Sequence, residues 1–132
     1  MAVHSHPMKS LIFASLAIAS TALAVDPLHL TTADVEKSKF SLINKPICLG
    51  GWVAKGKEIS ATQTKIEFGS SLVTTIPTTA VPRIKNSGLR ALYVYVASVD
   101  GSNINIVLLG NHVSYDINRK PIYSWQETAD KW

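Results

Sequence analysis

The feature that most constrains the fold is a strand–turn–strand signal in the last third of the chain. Residues 91–98, Ala-Leu-Tyr-Val-Tyr-Val-Ala-Ser, are β-branched and aromatic, a composition that suits a pleated surface and not a helix. Asp100-Gly101 follows, and Gly accepts the positive φ that a tight hairpin turn requires. The chain then returns through residues 103–109. Ile104, Ile106 and Leu108 fall on one face there, and Asn103 and Asn105 on the other. Gly110-Asn111 marks a second turn or bend, 112–117 a third strand, 118–121 another turn and 122–125 a fourth strand. This pattern predicts an antiparallel meander, with a polar tail or helical turn over 126–132.

Upstream, Thr31-Thr32-Ala33-Asp34 opens the best helix candidate. Thr31 is a capping hydroxyl and Asp34 lies in the first turn. Acids Asp34 and Glu36 precede Lys37 and Lys39, the order that the helix dipole favours. The predicted helix spans about 32–39, with Val35 and Phe40 pinning it to a core. Residues 25–30 read as a tether or edge segment. Residues 47–54 are apolar on both faces and read as one covered strand, interrupted by Gly50-Gly51. Lys55-Gly56-Lys57 reads as a turn, 58–68 and 72–76 as strands, and 77–88, with its two prolines, as an extended loop. The sum is a mainly β domain: a small antiparallel β sandwich or half-open barrel with one short N-terminal helix. An α+β arrangement is the alternative.

The N-terminus carries a different signal. Lys9 precedes an apolar run over 11–19, and Ala22-Leu23-Ala24 has the small-x-small pattern that signal peptidase accepts. Residues 1–24 therefore read as a cleavable signal peptide and 25–132 as a single domain, with either Met1 or Met8 as the start. The apolar run is shorter than the ~20 residues that cross a membrane. Removing the leader also removes His4 and His6. The expected destination is the periplasm or the exterior of a bacterium, since Asn-x-Ser/Thr acceptor sites are absent from the sequence. There is 1 cysteine in the chain. Cys48 thus has no intramolecular partner for a disulfide, and the core must hold without covalent staples. The residue after the cleavage point is Val25, not cysteine, which argues against a lipid anchor of the bacterial lipoprotein type.

The net charge of +4 comes from dispersed basic residues, among them Lys37, Lys39, Lys45, Lys55, Lys57 and Lys65. A nucleic-acid surface needs a denser cluster, so no nucleic-acid partner is expected. The catalytic templates fit poorly. His112, Ser114 and Asp116 carry the residue types of a hydrolase triad, but alternate residues of one strand lie about 6.7 Å apart. Successive triad members must be in hydrogen-bond contact. Glu58 and Glu67, the one candidate carboxylate pair, fall on opposite faces of a regular strand. His29, His112 and Cys48 lack metal-ligand spacing, and Gly50-Gly51 lacks the spacing and helix of a phosphate loop. No cofactor is expected. Trp132 stands where outer-membrane barrels carry a terminal aromatic, but Gln126, Thr128 and Asp130 break the apolar alternation such a strand needs.

The aromatic residues offer the remaining lead. Tyr93 and Tyr95 share a strand face opposite Leu92, Val94 and Val96. With Trp125 they are the candidate partner-binding residues, provided that their face is not covered by a second layer. The expected function is a small exported, non-catalytic binding protein of the bacterial envelope, an inhibitor, immunity factor or adaptor for another envelope or secreted protein. The alternatives are a structural subunit of an envelope secretion or surface assembly, and a carbohydrate-binding module or small hydrolase.

Overall fold

The computed structural model describes residues 24–86 and 91–126. The expected leader, up to its last residue, and the expected C-terminal helical turn lie outside the described residues. The chain begins with β1 (Leu28–Thr31) and α1 (Thr32–Ser38), followed by a 3-10 turn at Lys39–Leu42. Next come β2 (Pro46–Gly50), β3 (Ala54–Glu58), β4 (Gln63–Phe68) and β5 (Leu72–Pro77). A 3-10 turn at Thr78–Ala80 leads into α2 (Val81–Asn86). The chain continues through β6 (Leu92–Asp100), β7 (Asn103–Gly110), β8 (His112–Tyr115) and β9 (Pro121–Ser124). Seven strands form one sheet in the order β1-β2-β6-β7-β5-β4-β3, curled into a half-barrel, and β8 and β9 form a second sheet of two strands. The protein is mainly β, as the composition predicts.

Helix α1 forms where the capping residues place it. Thr31 Oγ1 accepts from the Asp34 N–H at 3.2 Å, and Asp34 Oδ2 accepts from the Thr31 N–H at 3.1 Å, a reciprocal capping box. The helix and the 3-10 turn after it supply the long crossover that lets β1 pair parallel to β2. A second parallel pair joins β5 to β7. The sheet is therefore mixed, because strand direction depends on which distant segments meet. Val35 is fully buried under the sheet. Phe40, expected beside it, is 70% exposed with Lys39 Nζ 5.6 Å from its ring, and Leu42 takes the buried position instead. The reason is the 3-10 turn, which tightens the chain after Ser38 and shifts which residue faces inward.

The inner face of the half-barrel holds the core. Leu49, Phe68, Leu72, Leu92, Val94 and Ile104 are fully buried there, and the Trp52 ring meets Phe68 edge-on at 5.4 Å. Each such side chain contributes roughly 2 kcal/mol of burial, which is how the fold holds with Cys48 free and buried. Helix α1 is tied across to the β4–β5 turn by the Ser70 hydroxyl, which donates to Glu36 Oε2 at 2.7 Å. That bond holds the Glu36 carboxyl below its ordinary value.

Four local expectations are corrected. Lys55-Gly56-Lys57 is the middle of β3, not a turn; the turn lies at 59–62, where the Ser60 hydroxyl accepts from the Gln63 N–H. The run expected over 47–54 breaks at Gly51, whose φ of 63° suits glycine, so β2 and β3 are separate strands. The proline-bearing 77–88 stretch contains α2. Pro82 sits in the first helical turn, where its missing N–H breaks no helical bond, and Ile84 anchors the helix at 3% exposure. The meander also ends at β7. The β6–β7 hairpin turns at Gly101 (φ 61°), a type II′ position, with Asp100 paired to Asn103. The β8–β9 pair then leaves the main sheet to form its own.

Two contacts turn that hairpin back. At Gly110 a Cβ would collide with the Ser124 backbone. Beside it, Asn111 Nδ2 donates to the Gln126 carbonyl and Asn111 Oδ1 accepts from the Gln126 N–H, both at 2.7 Å. Because the Ser124 main chain occupies the space of a side chain, Gly110→Ala is expected to cost about 1–3 kcal/mol of stability. Denaturant unfolding measures this, and an unchanged midpoint would mean the hairpin does not pack there.

Candidate functional site

The outer face of the sheet is covered where β2 and β6 run side by side. Cys48 pairs in register with Tyr93, and Pro46 with Tyr95. The second sheet adds Tyr123, whose ring lies 5.4 Å from that of Tyr93. Tyr95 is 8% exposed, Tyr93 is half-buried, and Trp125 is half-buried against the core cluster. The three candidate aromatics therefore do not form one open patch. Strand β6 is packed on both sides, by the Leu92-Val94-Val96 face within and by the tyrosine layer without. The strand's apolar and aromatic alternation shows both faces, but the Tyr123 ring against Tyr93 comes from the later hairpin.

Burial sets the electrostatics of this layer. It raises the Cys48 thiol above its ordinary 9.0, while a hydrogen bond with the Tyr93 hydroxyl pulls the other way. Cys48 is thus a neutral thiol near neutral pH, not an activated nucleophile. Burial also raises Tyr93 and Tyr95. Tyr123 is pushed up to about 12, by burial first and by its neighbours Tyr115 and Tyr93 next. Its hydroxyl is buried without a hydrogen-bond partner among the described residues.

The other sequence-level candidates have structural occupations. Asp116 Oδ1 accepts the backbone N–H groups of Asn118 and Lys120 at 2.8 and 2.9 Å, shaping the β8–β9 turn. Ser114 is exposed on β8. Glu58 pairs in register with Thr64, and Glu67 with Lys55, so the two carboxylates sit on different strands. Glu67 instead lies 4.0 Å from Lys65 Nζ. Among the described residues no three His, Cys, Asp or Glu side chains gather as a metal site.

Among the described residues, what remains open is the rim of the sheet, and its two edges differ. At one end, β3 carries Lys55 and Lys57, all but its first residue being exposed. Edge lysines discourage strand addition. At the other end, β1 reads Leu-His-Leu-Thr, with no charge, and Leu28 is 44% exposed. Beside β1 opens a cleft of about 630 Å³. Its walls include Leu30, Cys48, Trp52 and Ala91 on the apolar side, and His29 and Asp34 on the polar side. A strand edge without lysine or arginine, next to a hollow of mixed apolar and polar lining, is a strand-docking geometry, in which main-chain bonds give affinity and the hollow gives specificity. The sequence shows β1 as an edge segment, but not the cleft, which needs the bend at Gly51. The candidate site is therefore the β1 edge and this cleft.

The fold and site together define an open half-barrel with one guarded and one unguarded edge. Comparison with family models, curated proteins and solved structures finds no match.

The tyrosine layer yields a testable consequence. Removing an unpartnered buried hydroxyl relieves a desolvation cost, so Tyr123→Phe is expected to raise stability by about 1 kcal/mol. The raised Tyr123 value makes the folded state hold its proton more tightly than the unfolded state does. Its contribution is complete below pH 10.0 and is lost as pH rises toward about 12. Tyr123→Phe should flatten the fall in stability over that alkaline window. Denaturant midpoints measured across it would show otherwise if the slopes coincide.

Proposed function

We propose that this chain is a small exported, non-catalytic protein that binds another envelope or secreted protein through its β1 edge. The observation that carries the reading is the asymmetry of the two sheet edges: lysines line β3, whereas β1 carries no lysine or arginine and lies beside a cleft of mixed apolar and polar lining. The partner contributes an extended segment that lies along Leu28–Thr31 and places a side chain in the cleft. An inhibitor, immunity factor or adaptor works in this way, by occupying a surface without turning over a substrate. The protonated Cys48 thiol and the turn-forming role of Asp116 support the non-catalytic reading. Among the described residues no helix is long and apolar enough to cross a membrane. The leader over 1–24 directs export, and the processed chain begins at Val25, three residues before β1.

Three measurements test this. N-terminal sequencing of the exported protein should return Val25 as the first residue; an uncleaved Met1 or Met8 would contradict the leader. Leu28→Lys with His29→Lys gives β1 the same guard that β3 has. This variant should remain folded and lose at least tenfold in affinity for the captured envelope partner, whereas Lys57→Gln should retain that partner. Equal capture by both variants would place the interface elsewhere. Substrate turnover by the purified protein would overturn the non-catalytic reading.

A further inference from the structure

The guarded edge has a second property that the sequence order conceals. Val53 and Ile59 flank β3 and are 70% and 57% exposed. The strand-like pairing continues to both of them: the Gly69 N–H donates to the Val53 carbonyl at 3.4 Å, and the Ile59 N–H donates to the Gln63 carbonyl at 3.0 Å. Residues 53, 55, 57 and 59 alternate in step, so Val53, Lys55, Lys57 and Ile59 lie along one outward side of the edge. The register adds Lys65 opposite Lys57 and Glu67 opposite Lys55. The result is a stripe with two exposed aliphatic ends, about 20 Å apart at a strand's rise, and three ammonium groups between them. Glu67, at 4.0 Å from Lys65, is the acidic group on that face. Glu58 points to the other face of β3, into the cleft beside α2.

This arrangement does not serve the fold. Like charges directly opposite in a sheet are destabilising, and Lys57 faces Lys65. Exposed Val and Ile at both ends gain nothing from burial within the protein. We propose that this stripe is a peripheral docking face for an anionic phospholipid surface. The ammonium groups meet headgroup phosphates, and Val53 and Ile59 enter the boundary of the acyl chains. A lipid plane fits better than a protein strand for two reasons. The edge lysines oppose strand addition, and two separated aliphatic anchors without a pocket suit a laterally fluid surface. The proposal is independent of the β1 edge, which lies at the opposite end of the sheet.

The test uses the full chain and co-sedimentation with vesicles of phosphatidylcholine, with and without about one-third phosphatidylglycerol. The wild type should bind the anionic vesicles and release as salt rises. Lys55→Gln with Lys57→Gln should weaken that binding by about fivefold per lysine, with no change on neutral vesicles. Val53→Ser with Ile59→Ser should weaken it at unchanged charge. Glu67→Gln, which removes the opposing acid, should strengthen it severalfold. The leader is the same in every variant, so differences between variants report on the stripe, and melting temperatures no lower than that of the wild type confirm folding. Binding unaffected by all three variants would overturn the proposal. So would loss of binding to polyglutamate alone with vesicle binding intact, which would assign the stripe to an acidic protein.

Discussion

The structure depends on the burial of β6 from both sides. Leu92, Val94 and Val96 are fully buried on the inner face, and Tyr95 is almost as covered on the outer one. A single curled sheet cannot supply both covers. Helix α1 and the sheet's own curvature close the inside, and the β8–β9 hairpin adds Tyr123 outside. With Cys48 unpaired, no covalent link substitutes for either cover. Each cover is fastened by polar contacts at its margin, Glu36 with Ser70 for the helix and Asn111 with Gln126 for the hairpin.

The curl also explains why the edges stay open. The register of β6 on β7 shifts between Tyr93 and Val94 and again between Val96 and Ser98. Bulges of this kind raise local twist and bend the strand. The second shift accompanies a bond from the Asn44 N–H to the Val96 carbonyl at 2.8 Å, which ties the segment before β2 to the sheet. The sheet curls far enough to enclose a core, yet β1 and β3 remain at its two ends. Those ends have different chemistry, and that difference underlies both the protein-binding and the lipid-docking proposals.

Much of this was legible locally. The Thr31–Asp34 capping box, the Asp100–Asn103 hairpin and the two-faced character of β6 follow from residue chemistry within a few positions. What could not be read locally depends on partners distant in sequence. Lys55-Gly56-Lys57 resembles a turn until β4 provides a ladder for it. The parallel pairing of β1 with β2 has no signature in alternation. Phe40 and Leu42 exchange roles because one 3-10 turn intervenes. Tyr93 of β6 meets Tyr123 of the hairpin that follows Gly110, and nothing around Tyr93 announces it. At the site level, β1 was visible as a tether or edge segment, whereas its cleft gathers Gly51 and Ala91, which are distant in sequence. The lysine stripe likewise exists only after Lys57 and Lys65 are brought into register.

The central claim is that β6 is buried on both faces while β1 remains an open edge. Native-state hydrogen exchange of the free protein tests this most directly. The account predicts that the β6 amides between Leu92 and Val96 are among the slowest to exchange, and that the amides of Leu28–Leu30 not bonded to β2 exchange rapidly. Slow exchange at every β1 amide, equal to that of β6, would mean that the edge is already covered and would contradict the account.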